Sequence, residues 1–145
     1  MPTFTYDTNV FINYRPARFP AGFVMSAVVV QELAAGALDK SELQSWNAVR
    51  LAYEKQGRLL VPTGEDCWLA GKVLNSLLRG RKARTGKRAT RTSKAEQQRI
   101  LRDVLIARTA RRAGAWVVTD NVSDFEKIRP FCNVRVITPA KFPVR

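Results

Sequence analysis

Five carboxylates occupy positions that a purely solvated role does not explain, and they are Asp7, Glu32, Asp103, Asp120 and Asp124. Asp7 and Asp120 directly follow short apolar runs. Glu32 and Asp103 lie on or beside the apolar stripes of predicted helices, where an unpaired buried carboxylate is costly. If the fold brought these acids together they would repel one another, and a divalent cation is the usual remedy. Their positions therefore raise the possibility of a metal site.

The chain contains no histidine among its 145 residues. This excludes a histidine general base, a Ser-His-Asp triad and histidine metal ligands. A hydrolytic site would then consist of carboxylates, hydroxyls and cations, and carboxylates with water select hard ions such as Mg²⁺ or Mn²⁺. Such an ion can lower the pKa of a bound water and orient it at a phosphodiester.

The formal net charge of +13 arises from 25 lysines and arginines against 12 acids. A charge of this size indicates a polyanionic partner, with nucleic acid the first candidate and an acidic membrane surface the second. Segment 79–94 contains no acid. We predict an insertion, a loop or an elaborated helix connection there that is either simply solvated or binds RNA phosphates. The candidate nucleic-acid-binding residues are Arg81, Lys82, Arg84, Lys87 and Arg88.

Length and composition indicate a single domain spanning residues 1–145, since 46% hydrophobic residues suffice for a core. The sequence has no apolar run near the ~20 residues that a membrane span needs, and its N-terminus lacks a secretory pattern. We therefore expect a cytoplasmic protein without a membrane partner. Cys67 and Cys132 show neither zinc spacing nor a disulfide framework.

Predicted strands alternate with predicted helices along the chain. The strands are expected at residues 3–6, 22–25, 58–62, 115–119 and 134–138. This alternation predicts βαβ units and a mainly parallel sheet with helices on both faces. Because parallel strands have their carboxyl ends at one edge, Asp7 and Asp120 should meet there if their strands are neighbours. Glu32 and Asp103 could approach the same edge from their helices.

Structural roles are open alternatives for two of these acids. Asp7 could serve only as the N-cap of the helix that follows it. Asp103 could form a surface salt bridge with Arg99 or Arg102. Either role would leave the acid without a part in chemistry.

Four short patterns occur in an order that resembles a known family. They are Asp7-Thr8-Asn9 after the first predicted strand, Glu32-Leu33 in a Ser-x5-Glu-Leu context, Asp103-Val-Leu-Ile-Ala in a long predicted helix, and Thr119-Asp-Asn-x-x-Asp-Phe after a strand. Nearly end to end, the chain resembles the PIN domain and, within it, the VapC toxins of bacterial toxin–antitoxin pairs. The resemblance implies an α/β fold, a three-layer α/β/α sandwich with a mainly parallel sheet of about four or five strands.

The resemblance also implies a Mg²⁺- or Mn²⁺-dependent endoribonuclease that hydrolyses RNA by a metal-activated water and leaves 5′-phosphate and 3′-hydroxyl ends. The implied catalytic residues are Asp7, Glu32, Asp103 and Asp120, and the implied metal ligands are Asp7, Asp103, Asp120 and Asp124. Asp120 is favoured over Asp124 for its nearness to the strand end, although either could cap the next helix. The implied supporting residues are Thr8, Asn9, Thr119 and Asn121.

The implied partners are RNA (tRNA, rRNA or mRNA), a second copy of the chain in a homodimer, and a cognate antitoxin that inserts a segment into the active groove. One alternative is a PIN-like RNA- or DNA-binding or regulatory protein with little catalysis, which would have no use for the acid set. Another is a phosphatase or phospho-acceptor domain. Asp7-Thr8-Asn9 lacks the second aspartate, two positions on, that a haloacid-dehalogenase-type phosphatase would show.

Overall fold

The computed structural model describes residues 2–85 and 92–144, with the backbone alone for residues 81–85. Strands and helices alternate in it as the sequence predicts. In chain order the elements are β1 (Thr3–Tyr6), α1 (Thr8–Tyr14), β2 (Met25–Ser26), α2 (Ala27–Ala35), α3 (Lys40–Lys55), β3 (Leu59–Leu60), α4 (Gly64–Thr85), α5 (Lys94–Arg112), β4 (Ala115–Val118), α6 (Val122–Ile128) and β5 (Val136–Ile137).

All pairings between these strands are parallel. β1 pairs with β4 and β4 with β5, while β2 pairs with β3. An isolated parallel bridge between Phe4 and Phe23 joins the two groups, and beside it the Val24 N–H donates to the Phe4 carbonyl at 2.9 Å. The strands therefore follow the order β3-β2-β1-β4-β5. This is the α/β architecture with a mainly parallel sheet that the sequence predicts.

The second strand begins later than the sequence predicts. A strand is expected at residues 22–25, whereas β2 comprises Met25 and Ser26. Gly22 has φ +81°, and a Cβ at this position would lie 3.0 Å from the Pro2 carbonyl oxygen. The chain therefore turns at Gly22 in a conformation that favours glycine, and extended pairing with β3 starts only after this turn.

The strand order reverses between β1 and β4. The chain steps from β1 outward to β2 and β3, then returns past β1 to β4 and β5. By the general rule that parallel crossovers are right-handed, α1–α3 should cover one face and α4–α6 the other. The packing of α1 on α2, α2 on α3, α4 on α5 and α5 on α6 agrees with this, and α2 also contacts α5. The carboxyl ends of β1 and β4 thus form the topological switch point, where open α/β sheets bind ligands.

Asp66 connects the start of α4 to the end of α5. Its Oδ2 accepts from the Thr63 N–H at 2.9 Å, and its own N–H donates to Thr63 Oγ1 at 3.2 Å, as in a capping box. From α5, Arg112 Nη2 lies 2.5 Å from Oδ1 and Arg108 Nε lies 3.2 Å from the same oxygen. Asp66 is fully buried, so these donors replace its hydration.

The first part of the basic segment, residues 79–85, is helical. Helix α4 continues to Thr85, because residues 64–85 contain no proline and are rich in good helix formers. Arg81, Lys82 and Arg84 lie on this last stretch of α4, whereas Lys87 and Arg88 lie outside the described residues. Across residues 2–85 and 92–144, no helix combines the length and the apolar character that crossing a bilayer requires.

Candidate active site

Asp7 lies where β1 ends and α1 begins, at the switch point of the sheet. Its N–H donates to the Val118 carbonyl at 2.9 Å, which continues the pairing of β1 with β4. Asp7 is 1% exposed, and its Oδ1 accepts from the Thr8 N–H at 2.8 Å. It also occupies the N-cap position of α1. Asp7 thus caps α1 and also lies at the switch point of the sheet, so its cap role does not remove it from the candidate site.

The second carboxylate oxygen of Asp7 is held by side chains from both strand ends. Oδ2 accepts from Thr119 Oγ1 at 2.8 Å and from Asn9 Nδ2 at 3.2 Å. Asn9 Oδ1 in turn accepts from the Asp120 N–H at 3.2 Å, and the Asn121 N–H donates to Thr119 Oγ1 at 3.0 Å. Asn9 and Thr119 thus contact Asp7 directly, whereas Asn121 acts through its backbone. The network fixes the orientation of the carboxylate.

Glu32 reaches the same region from α2. This helix starts directly after β2, where Ser26 Oγ caps it by accepting from the Val29 N–H at 3.3 Å. Glu32 Oε1 accepts from Thr8 Oγ1 at 2.7 Å, and Oε2 lies 2.9 Å from Arg102 Nη1. The Glu32 side chain is 29% exposed. It is therefore the one carboxylate of Asp7, Glu32 and Asp103 that solvent reaches readily.

Asp103 faces inward from α5, with a side chain that is only 3% exposed. Its Oδ1 accepts from Arg102 Nε at 3.2 Å and Nη2 at 3.1 Å. Within the described chain, Oδ2 accepts no hydrogen bond. The salt bridge that the sequence suggests does form with Arg102, but it is largely buried and not a surface pair. It leaves half of the carboxylate without a donor.

Burial governs the electrostatics of this acid pair. It raises the pKa of Asp7 even though Thr119, Arg102 and Thr8 favour the charged form. Burial also raises the pKa of Asp103 to about 7; Arg102 opposes this, while the charge of Asp7 adds to it. Burial disfavours the Arg102 cation as well, but the neighbouring Asp103 and Glu32 outweigh it and raise the pKa of Arg102. The charged forms of both acids are therefore disfavoured, since the protein's own donors do not make up for the hydration lost on burial.

Asp120 and Asp124 differ in what they face. Asp120 is exposed, and its carboxylate accepts from Tyr14 Oη at 2.9 Å and Asn13 Nδ2 at 3.3 Å, so it turns toward α1. The Asp124 side chain is 17% exposed, and its charge helps to raise the pKa of Asp103. Asp124 is therefore coupled to the buried acids, whereas the Asp120 carboxylate is occupied by its neighbours on α1.

The carboxylate oxygens of Asp7 and Asp103 are of the type that could bind a hard divalent cation. Asp7 and Asp103 are buried carboxylates with raised pKa values, and Asp103 Oδ2 lacks a donor within the described chain. No cluster of three or more acids or cysteines in residues 2–85 and 92–144 is close enough to hold an ion unaided. Mg²⁺, however, usually keeps several waters and binds through one or two carboxylates together with substrate phosphates. Asp7 and Asp103, with Asp124 nearby, fit such an ion.

Arg102 is the site residue that sequence reasoning did not assign to the site. It lies in the acid cluster and also lines a cleft of about 490 Å³ between α2 and α5, which we call the α2–α5 cleft. Gln31, Gln98 and Arg99 also line this cleft. The available signal was an arginine directly before an acid on an apolar stripe. Of the five basic residues proposed to bind nucleic acid, none has a described side chain.

Comparisons with known proteins identify the fold. No protein-family model and no curated protein matches the chain. Among solved structures, it is similar to a chain of VapBC-1 from nontypeable Haemophilus influenzae, with 23% identity, a TM-score of 0.52, and coverage of 94% of this chain and 97% of that one. It is also similar to a chain of DNA-bound VapBC from Salmonella typhimurium, with 24% identity, a TM-score of 0.54, and coverage of 95% and 98%. It is similar as well to a chain of VapBC2 from Rickettsia felis, bound to a DNA fragment from its promoter. The identity is 20%, the TM-score is 0.52, and the match covers 94% of this chain and 98% of that one. The chain thus shares its PIN-like fold with chains of these VapBC structures over nearly its whole length.

Proposed function

We propose that the chain is a Mg²⁺- or Mn²⁺-dependent endoribonuclease that acts as the toxin of a VapBC-type toxin–antitoxin pair. The observation that carries the proposal is a pair of buried carboxylates, Asp7 at the switch point of the sheet and Asp103 on α5. Each has a raised pKa, and the charge of Asp7 adds to the shift of Asp103. Burying like charges together is costly, and a cation site accounts for that cost. The fold shared with VapBC structures supports the toxin assignment.

The residues divide into ligands and a group that handles protons. Asp7 and Asp103 would hold the ion, with Asp124 close to them. When bound, the ion would supply a lowered pKa for water and would stabilise the charge that develops on the phosphate and the leaving oxygen. Glu32 is more exposed than Asp7 and Asp103, Thr8 Oγ1 donates to its Oε1, and Arg102 pairs with its Oε2. This exposure supports a role for Glu32 in accepting the proton of the attacking water.

RNA is the substrate class that the charge favours. The net charge of +13 attracts a polyanion toward a site that is itself acidic. The test neutralises Arg81, Lys82, Arg84, Lys87 and Arg88 together and measures RNA binding across a salt titration. We expect weaker binding and a shallower salt slope, since fewer counterions are released per bound RNA. Unchanged binding would remove this segment from the RNA interface.

An antitoxin partner is supported by an apolar groove of about 620 Å³ between α1, α2 and α3. Phe11, Leu33 and Trp46 line it, together with Ile12 and Leu38, which are 60% and 92% exposed. Exposed apolar surface of this kind typically marks a protein-binding site, and an amphipathic segment of an antitoxin would fill it.

We also propose a homodimer. Light scattering would then give twice the 16.3 kDa chain mass, whereas a monomer mass would refute it.

One experiment tests the catalytic proposal. Purified protein is incubated with structured RNA in the presence of Mg²⁺, Mn²⁺ or EDTA, beside Asp7→Asn and the surface control Asp39→Asn. We expect metal-dependent cleavage that leaves 5′-phosphate ends, with the Asp7 variant slower by about 100-fold or more and the control unaffected. RNA binding without cleavage would instead favour the regulatory alternative.

A further inference from the structure

Arg102 connects two carboxylates that stand on different helices. It belongs to α5, yet its Nη1 lies 2.9 Å from Glu32 Oε2 on α2, while its Nη2 lies 3.1 Å from Oδ1 of its sequence neighbour Asp103. The charge of Asp7 also acts on this guanidinium. The Arg102 side chain is 24% exposed, although an arginine at this position could extend into the open α2–α5 cleft. The Arg102 guanidinium therefore pairs with the two carboxylates instead of extending into the cleft.

A guanidinium in this position uses the oxygens that an ion would need. Arg102 engages Asp103 Oδ1 and Glu32 Oε2. Within the described chain this leaves Asp103 Oδ2, together with one lone pair each on Asp7 Oδ1, Glu32 Oε1 and Glu32 Oε2, as the remaining acceptors. A divalent cation at these acids would face a unit positive charge a few ångströms away. Like charges repel more strongly in a partly buried site than in water, because the effective dielectric constant there is lower. The two cations therefore disfavour each other strongly.

We propose that Arg102 is a built-in competitor of the divalent cation, which must displace the guanidinium from Glu32 and Asp103 in order to bind. This inference rests on the proposed metal-dependent site. The α2–α5 cleft provides the space into which the displaced side chain turns, because Arg102 and Glu32 already line it. Arg102 is thus a positioning residue that sets the metal affinity of the acids.

The first test measures Mn²⁺ affinity by titration calorimetry of the full chain. Arg102→Gln should bind Mn²⁺ about 5- to 100-fold more tightly than the wild type, the range typical of coupling between two sites. Arg102→Lys retains the charge and should stay within about threefold of the wild type. The matched control is Arg99→Gln, which removes an exposed cation of the same cleft that forms no ion pair within the described chain.

Each outcome of the titration bears on the proposed metal site, on the competition by Arg102, or on both. Asp7-dependent Mn²⁺ binding that Arg102→Gln leaves unchanged would overturn the competition and leave the proposed nuclease intact. Binding that appears only in Arg102→Gln supports the competition. No Mn²⁺ binding by either protein would overturn the proposed metal site and the competition with it. Tightening of equal size in Arg99→Gln would show a general charge effect and overturn the specific role of Arg102.

A second test uses the unmodified chain and so does not depend on how the variants fold. Phenylglyoxal modification of arginines is mapped by mass spectrometry with and without Mg²⁺. Displacement should raise the modification of Arg102 several-fold when Mg²⁺ is present, while Arg99 stays constant. Modification of Arg102 that is unchanged or reduced by Mg²⁺ would overturn the proposal.

Discussion

Helix α5 contacts two clusters of buried carboxylates, and the two clusters differ in how many cations offset their negative charge. At its C-terminal end, Arg108 and Arg112 enclose Asp66, which is 0% exposed. Near its middle, Asp103 is 2% exposed and Asp7 is 1% exposed, and the single guanidinium of Arg102 is shared between Asp103 and Glu32. One cluster has two cations for one buried acid, and the other has one cation for several acids.

The pKa directions follow this balance. Burial alone would raise the pKa of Asp66, but Arg112, Thr63 and Arg108 outweigh it and hold the pKa below its ordinary value. For Asp103 the same burial prevails, and the pKa rises to about 7. A buried aspartate is therefore not in itself a functional signal. A buried aspartate that its neighbours fail to compensate is one, because it keeps the capacity to bind a proton or a metal.

The largest effect expected from this contrast is the destabilisation caused by Asp66→Asn. Removing the charge leaves Arg108 and Arg112 without their shared partner, and breaking a buried pair costs about 3 kcal/mol in the free energy of unfolding. Urea unfolding measures the loss. The matched control is Asp39→Asn at the exposed N-cap of α3, where asparagine caps equally well and the change should be close to zero. A similar, small loss in both variants would contradict a structural role for Asp66.

Asp103→Asn should stabilise the metal-free protein, whereas Asp66→Asn destabilises it. Since the folded-state pKa of about 7 lies above the ordinary value of 3.8, ionised Asp103 destabilises the fold. This penalty is absent below about pH 4, grows between pH 4 and 7, and is complete above pH 7. We expect the variant to be more stable than the wild type by about 2 kcal/mol at pH 8 and by almost nothing at pH 4, because Arg102 loses one partner in exchange. Urea unfolding in EDTA at both pH values checks this, and a loss of stability at pH 8 would refute it.

The pH dependence of Asp66 runs the other way. Its lowered pKa contributes stability that is present above the ordinary pKa and is lost as the pH falls through the folded value. The stability difference between wild type and Asp66→Asn should therefore shrink in acid, while that for Asp103→Asn grows in base. The same two unfolding series measure both trends. Parallel trends would mean that the two clusters are balanced alike.

Metal binding should act on one cluster alone. An ion at ten times its dissociation constant stabilises the folded state by about 1.4 kcal/mol, or roughly 3–5 °C in Tm for a domain of this size. We expect Mg²⁺ to raise the Tm of the wild type and of Asp39→Asn, but not that of Asp7→Asn. Thermal unfolding with and without Mg²⁺ measures the shift. An equal shift in Asp7→Asn would place the ion elsewhere.

Asp7 illustrates how much of the fold and the site the sequence could predict. An acid at the end of an apolar run, in a chain of alternating strands and helices, must lie at the carboxyl edge of a parallel sheet. Thr119 could be assigned to the same edge by the same rule, because it follows β4. Both inferences depend only on chain order and strand direction. These are properties that local patterns encode.

Arg102 and Asp66 show why the rest could not be predicted. Arg102 reaches Glu32 only because α2 and α5 lie against each other at a particular rotation, and Asp66 meets Arg108 and Arg112 only because α4 packs on α5. Helix rotation and crossing depend on the whole core rather than on the residues near each acid. The late start of β2 likewise depends on the turn at Gly22. Long-range packing, not local pattern, decides each case.

Asp120 and Asp124 offer the smallest and most discriminating prediction. Both oxygens of Asp120 accept hydrogen bonds, from Tyr14 and Asn13. Within the described chain, the Asp124 carboxylate has only a long ion pair, 3.8 Å from Lys127 Nζ to its Oδ1, and its charge acts on Asp103. Asp124→Asn should therefore weaken Mn²⁺ binding about tenfold, as the loss of an outer ligand does, and Asp120→Asn should change it less than about twofold. Calorimetric titration of both variants measures this. Tyr14→Phe provides the control, because it frees one Asp120 oxygen without altering any acid. If Tyr14→Phe tightens Mn²⁺ binding and Asp120→Asn weakens it, then Asp120 is the ligand and its contact with α1 must open before the ion binds.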